Sequence, residues 1–465
     1  MLTNDVGDFV FLGKKDFGDF KKGKIKVESK LGRQLDEMDF LKHDIPCPRM
    51  VERYQEKNIH FKTSGPSLHI VVVTLRCNHR CVYCQTSSHC DDKKKDMDKK
   101  TARKVVDFIF SVPNKDIAIE FQGGEPLLNW PVVKEIIDYA RKKNEKVKKN
   151  LELRLVSNFS VMTEEIAKHL FEKNVSICTS LDGPPLVHNK NRVFGEKSYE
   201  RVSFWLKKLV SEYKKVTKKN PSYIFQPAAV LTVSRHSLKY PREIVDEYLR
   251  WGIDGMAIRP TNSFGIAKDD WEKVGYKPEE FFSFYKKAVD YIIKKNLEGT
   301  RFKEMMASVA ARKILRQDFE SFLDSRSPCG AVIGQLSYLY DGSIYSCDEG
   351  RMAGEDTFKI GSVYKDDYKK IISSSKAKTL CLASCLENNV CDFCVYKPYC
   401  GVCPVYNYVN YGNIFAPAPL SDRCKINKLI FDYIFTLLQN PQKRKVLELW
   451  ADKKEWNLAV AKKRS

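Results

Sequence analysis

Between residues 65 and 260, six apolar, β-branched runs alternate with charged amphipathic stretches, and this alternation constrains the fold of the 465-residue chain more than any other feature. The runs are LHIVVVTL (68–75), IAIEFQ (117–122), LELRLVSN (151–158), VSICTSL (175–181), YIFQPAAVLTV (223–233) and GMAIRP (255–260). Strands separated by helix-length segments make βαβ units, and repeated units build a parallel sheet covered by helices. The pattern predicts an α/β fold, either an open doubly wound sheet or a partial barrel. Among the intervening segments, TEEIAKHLFEKN has Thr163 placed to cap a helix and Asn174 to end it.

The flanks read differently. Residues 1–64 predict a small N-terminal domain in which TNDVGDFVFL is a hairpin followed by two short helices, a region suited to docking a peptide. Residues 65–262 carry the partial barrel, 263–325 a helical bridge without cysteine, 326–428 a cysteine-rich domain and 429–465 a basic C-terminal helix. More than half of the fifteen cysteines lie between Cys329 and Cys424, among glycines and tyrosines whose loops need a metal staple. Clustered cysteines in a large chain without an export signal predict metal or cluster ligation in the cytoplasm. No apolar run approaches the roughly 18 to 20 residues of a membrane span. The 80 Lys and Arg against 59 Asp and Glu give +21, but the lysine pairs are scattered over many helices and predict a solvated surface more than a nucleic-acid stripe.

CNHRCVYC, residues 77–84, follows the first strand and holds three cysteines, one fewer than a closed site needs. As a zinc site it would need His79 or Cys90 as the fourth ligand. As an iron–sulfur site, three thiolates hold three irons of a four-iron cubane and leave the fourth open. FQGGEP (121–126) follows the second strand, where glycines let backbone approach a ligand. SLDGPPLVHNKNR (180–192) follows the fourth, with Arg192 twelve positions after Ser180. All three motifs fall at C-terminal strand ends, where a β/α barrel builds its active site.

These motifs resemble those of the radical S-adenosylmethionine (radical SAM) enzymes. The resemblance implies a partial (β/α)6, TIM-like barrel with a [4Fe–4S] cluster on Cys77, Cys81 and Cys84 and SAM on the open iron. It further implies that Gly123, Gly124 and Glu125 meet the SAM amino group, that Ser180 contacts the ribose, that Arg192 pairs with the carboxylate, and that Tyr83 lies by the adenine. The cysteines of C-x12-G-x4-C (Cys329, Gly342, Cys347), CDFCVYKPYCGVC (391–403) and Cys424 resemble the SPASM extension of peptide maturases. That resemblance implies two auxiliary [4Fe–4S] clusters, one on Cys391, Cys394, Cys400 and Cys424, the other on Cys329, Cys347 and Cys403. The gap from Cys400 to Cys403 is one residue shorter than the family's, and the second cluster lacks a fourth cysteine, for which Cys381 and Cys385 are candidates. Asp348, directly after Cys347, matches the proposed proton acceptor of sulfatase-maturating enzymes, and Gln122 is a candidate substrate contact.

Over nearly the whole chain the sequence is similar to the maturases of the His-Xaa-Ser peptide system, the HxsB-like group. The implied activity is hydrogen abstraction from a ribosomally made precursor peptide by the 5′-deoxyadenosyl radical, leading to oxidative maturation such as a crosslink. The implied partners are that peptide, an electron donor such as flavodoxin or ferredoxin, and a second radical SAM maturase. An anaerobic sulfatase maturase is the near alternative, and a zinc-dependent nucleic-acid-binding module the alternative of another class.

Overall fold

The computed structural model describes residues 1–41, 50–56, 65–86, 88, 91–195, 198–220, 226–317, 325–354 and 356–456. Six parallel strands form at the apolar runs: β1 (Leu68–Val72), β2 (Asp116–Gln122), β3 (Asn150–Ser157), β4 (Val175–Ser180), β5 (Ala228–Val233) and β6 (Gly255–Pro260); residues 223–225 of the fifth run lie outside the described residues. They neighbour one another in chain order, with Leu68 opposite Ala118, Asp116 opposite Asn150 and Leu153 opposite Val175. Residues such as Val71, Ile119, Leu153 and Leu155 are fully buried, because helices cover the sheet and its strands carry apolar side chains accordingly.

The helices begin and end for local reasons. Asp98 caps Lys99–Ser111 by accepting from Thr101 N. Thr163 caps Glu164–Glu172 by accepting from Ile166 N. Asn174, at φ 49°, closes the latter in the left-handed conformation that asparagine tolerates.

The sheet is larger than six strands. At one edge a two-residue strand, β7 (Lys303–Glu304), pairs in parallel with β6, between helices Pro278–Leu297 and Met305–Leu315 of the region expected to be wholly helical. At the other edge the cysteine-rich segment joins the barrel: β8 (Gln335–Tyr338) pairs in parallel with β1, and β9 (Ser343–Tyr345) and β10 (Lys359–Ser362) continue antiparallel. Leu336, Tyr338 and Ile344 share one hydrophobic core with the barrel residues Val71 and Ile119. A second core joins the helices at 278–315 to two helices near the C-terminus, Asp422–Leu438 and Pro441–Ala451. These two stand where one basic helix was expected; Pro441 opens the second, a position that proline favours. Residues 457–465 of that expected helix lie outside the described residues.

Near the N-terminus Leu2–Thr3 pairs antiparallel with Phe9–Val10, the expected hairpin, and helices Lys14–Lys21 and Lys30–Glu37 follow. The hairpin sits on the cysteine-rich segment: Thr3 Oγ1 donates to Val395 O at 2.8 Å and Tyr399 Oη to Gly7 O at 2.9 Å. Among the described residues no helix is long and apolar enough to cross a membrane.

Candidate active site

The loop after β1 is held from three sides. Gly124 N donates to Thr74 O at 3.1 Å and Glu125 N to Arg76 O at 2.8 Å, so the chain leaving β2 lies against the chain leaving β1. A Cβ at Gly123 would sit 2.3 Å from Thr74 O, and one at Gly124 would sit 2.3 Å from Arg76 O and 2.8 Å from Cys77 Cβ. The glycine pair is thus a packing requirement of the loop that carries Cys77. Asn78 is fixed by donating to Ser160 Oγ at 2.8 Å, and Cys81 pairs antiparallel with Arg192.

Cys77, Cys81 and Cys84 line a cavity of about 370 Å³, within the size range of small-molecule sites. Tyr83, Gly123, Gly124, Glu125, Ser180 and Arg192 line the same cavity, and so do Gln122 and His79. Asp348 and Glu349 reach it from the cysteine-rich segment. Burial pushes the Cys77 thiol up to about 12, with Cys81, Glu125 and Cys84 adding to the effect, and pushes Cys81 up to about 11. Thiols so reluctant to ionise are poor free nucleophiles and shed their protons when a metal binds.

The charged residues are tied to the protein in ways the motifs did not reveal. Glu125 is 1 % exposed and spans two strand ends: Oε1 accepts from Leu127 N (3.0 Å) and Ser157 Oγ (2.8 Å), and Oε2 from Asn158 N (2.7 Å). Even so, burial pushes its carboxyl up to about 7. Arg192 donates from Nε to Asp182 Oδ2 at 3.2 Å, reaches Cys81 Sγ from Nη1 at 3.8 Å and lies 5.4 Å over the Tyr83 ring. Burial opposes its charge, but Asp182, Tyr83 and Cys81 more than offset that and raise its pKa. Tyr83 Oη donates to the same oxygen as Arg192 Nε, Asp182 Oδ2. Asp182 is fully buried and central here, although SLDGP drew attention only to Ser180.

Asp348 accepts from Arg351 Nε at 3.0 Å and from Nη2 of the same guanidinium, and both side chains are buried. The candidate base is therefore half of an ion pair one helical turn long. Sequence reasoning missed Arg351, though the three-residue spacing from Asp348 in DEGR was a readable signal.

The remaining thiols form groups. Cys391, Cys394, Cys400 and Cys424 border a cavity of about 40 Å³ that Cys403 lines as well, and Cys391 is pushed up to about 12 by burial and by Cys400, Cys394 and Cys424. Cys347 is raised by burial, then by Glu349, Cys403 and Cys329. Cys347 Sγ accepts from Gly350 N at 3.2 Å and Cys403 Sγ from Tyr406 N at 3.4 Å. Cys381 and Cys385 neighbour each other, and Ser384 between them accepts from Cys329 N at 3.0 Å; neither thiol is among the groups acting on Cys347. Cys90 lies outside the described residues.

Residues 71–221 match the model of the Radical SAM superfamily. This stretch is a radical SAM domain. The cofactors of such a domain are a [4Fe–4S] cluster and SAM, and the site suits them: three thiols face a ligand-sized cavity, and Cys77 Sγ accepts an N–H from His79 at 3.4 Å. Among the described residues no three His, Cys, Asp or Glu side chains converge on a single metal point.

Relatives extend beyond the domain. An uncharacterised protein of Methanocaldococcus jannaschii is 35% identical over 114 residues, which are 24% of this chain and 38% of that protein. The radical SAM cyclopropyl synthase TigE of Paramaledivibacter caminithermalis is 24% identical over 78% of this chain and 74% of its own. A cysteine-type anaerobic sulfatase-maturating enzyme of Clostridium novyi is 25% identical over 72% of this chain and 86% of its own. In fold, this chain is similar to anSMEcpe with bound AdoMet and Kp18Cys peptide (TM-score 0.66, 20% identity, 82% of this chain and 99% of that one). It is also similar to Streptococcus suis SuiB bound to precursor peptide SuiA (TM-score 0.57, 14% identity, 86% of each chain).

Proposed function

We propose that this protein is a radical SAM enzyme that modifies a ribosomally synthesised peptide, and that it belongs with the HxsB-like maturases. One observation carries the reading: the three-cysteine loop, the Gly-Gly-Glu segment, Ser180 and Arg192 face the same cavity as Asp348 of the cysteine-rich segment. That is the arrangement needed to hold a cofactor on one wall and a substrate against the other. When bound, the cluster and SAM supply a carbon radical that takes a hydrogen atom from an unactivated C–H bond.

The chain's own residues bind, orient and exclude water. Cys77, Cys81 and Cys84 hold three irons. The glycine pair lets backbone carry the amino end of SAM, while Glu125 fixes the ends of β2 and β3 around it. Ser180 and Arg192 take the ribose and carboxylate, and Asp182 orients Arg192. Tyr83, its hydroxyl on Asp182, closes the adenine side. Asp348, steadied by Arg351, takes the proton that leaves the substrate. Cys391, Cys394, Cys400 and Cys424 would hold one auxiliary cluster and Cys329, Cys347 and Cys403 the other, which would supply acceptors for the electron removed from the substrate, with flavodoxin or ferredoxin as the electron donor.

The similarity to sulfatase-maturating enzymes, together with Cys347-Asp348, favours formylglycine formation as the second reading. Anaerobic incubation with SAM, reductant and either a small precursor peptide encoded nearby or a sulfatase-derived peptide separates them by mass spectrometry. The expected product is the precursor peptide lacking two hydrogens; modification of the sulfatase peptide alone would overturn the proposal.

A further inference from the structure

His79 lines the candidate cavity and is 2 % exposed, yet neither of its ring nitrogens has a hydrogen-bond partner. A neutral imidazole offers one donor and one acceptor. Leaving a buried polar atom unmade costs about 1–3 kcal/mol, so a native protein that keeps one has a use for it. The ring does not wander: it stacks on Phe194 with centroids 4.8 Å apart and planes at 16°. Its main-chain N–H is already committed to Cys77 Sγ at 3.4 Å. The imidazole edge is therefore aligned by packing and left unpaired at a cavity wall.

Arg192 lies close enough to act on the His79 ring electrostatically and lines the same cavity. Its guanidinium, to which the radical SAM reading gives the SAM carboxylate, has Nε on Asp182 and Nη1 toward Cys81 Sγ. Those contacts take two of its five N–H groups and leave the rest for a carboxylate, to which a second donor at that end of the cavity would add a further charge-assisted hydrogen bond.

We propose that His79 is a SAM-binding residue, one ring N–H donating to the carboxylate that Arg192 engages. The inference rests on the radical SAM reading of the cavity and adds to it a residue between the first two cluster cysteines.

SAM binding to the anaerobically reconstituted full-length protein tests it, with iron content measured alongside. His79→Phe keeps the ring on Phe194 and removes both nitrogens; its Kd for SAM rises about tenfold or more, the loss of one charge-assisted hydrogen bond, while bound iron is unchanged. His79→Gln, which retains an N–H, binds SAM within about threefold of wild type. Decarboxylated SAM, which lacks the acceptor, binds wild type and His79→Phe equally. An unchanged Kd for SAM in His79→Phe, or an equal loss toward decarboxylated SAM, overturns the proposal. Loss of iron from both variants makes His79 a loop-folding residue and overturns it as well. A wild type that takes up iron but binds no SAM is a distinguishable failure, because it contradicts the radical SAM reading itself.

Discussion

Cys77, Cys81 and Cys84 border a cavity of about 370 Å³ shared with Ser180, Arg192 and Asp348, whereas Cys391, Cys394, Cys400 and Cys424 border one of about 40 Å³ walled by Leu386, Val402 and Phe431. A three-thiol set beside a roomy cavity lined by both polar and apolar groups leaves a place for a small molecule. The thiols at the tighter, mostly apolar cavity, Cys403 among them, leave far less room for a small molecule. Cys329, Cys347 and Cys403 are buried partners of one another; Cys403 also lines the smaller cavity, while Asp348 and Glu349, directly after Cys347, reach the larger one.

The sharpest way to break this contrast is to empty each site in turn. Replacing Cys77, Cys81 and Cys84 together by Ala abolishes SAM cleavage, read as 5′-deoxyadenosine by chromatography. Replacing Cys391 and Cys394 by Ala lowers bound iron but leaves cleavage within about tenfold of wild type, because the cofactor chemistry stays at the open site. Next in size, Asp348→Asn lowers peptide product about 100-fold, the scale of a lost acid–base group, with SAM cleavage retained; equal loss of both would place Asp348 in cofactor binding instead.

Gly124→Ala tests the packing of the open site alone. Its Cβ would overlap Arg76 O and Cys77 Cβ, so the variant loses about 1–3 kcal/mol of stability and, by moving Cys77, part of its iron. Gly412→Ala, with no neighbour within 4 Å of its Cβ position but φ 68°, loses only about 1 kcal/mol in the same thermal melt.

The smallest effect is a pH slope. Burial raises the Glu125 carboxyl to about 7 from an ordinary 4.5, so the folded protein holds that proton more tightly than the unfolded chain does. The contribution is complete below pH 4.5 and is lost as the pH rises through about 7, on the order of 1–3 kcal/mol. Between pH 5 and pH 8, Glu125→Gln loses less stability than wild type in denaturant melts; parallel slopes would show that Glu125 is ionised throughout.

The same contrast explains what the sequence revealed. The six parallel strands were legible because each is an apolar run long enough to be read alone. Lys303–Glu304 is two polar residues and Gln335–Tyr338 reads QLSY, so their place in the sheet comes from tertiary pairing with β6 and β1, not from composition. At the site, the cysteine spacings and the glycine pair were legible as local patterns. Asp182 was not, because besides Arg192, ten residues on, it is met by Tyr83 and Thr232, 99 and 50 residues away, which only the fold brings to it. The grouping of Cys391, Cys394 and Cys400 with Cys424 was implied by resemblance; these four thiols border one small cavity, which Cys403 lines as well.

The central claim is that a cluster at Cys77, Cys81 and Cys84 binds SAM directly. Electron paramagnetic resonance of the reconstituted, chemically reduced protein, with and without SAM, tests it most directly. The account predicts a reduced [4Fe–4S] signal that shifts when SAM is added and is missing from the Cys77, Cys81, Cys84 triple variant. A spectrum indifferent to SAM, or a SAM-dependent shift that survives in the triple variant, would contradict it.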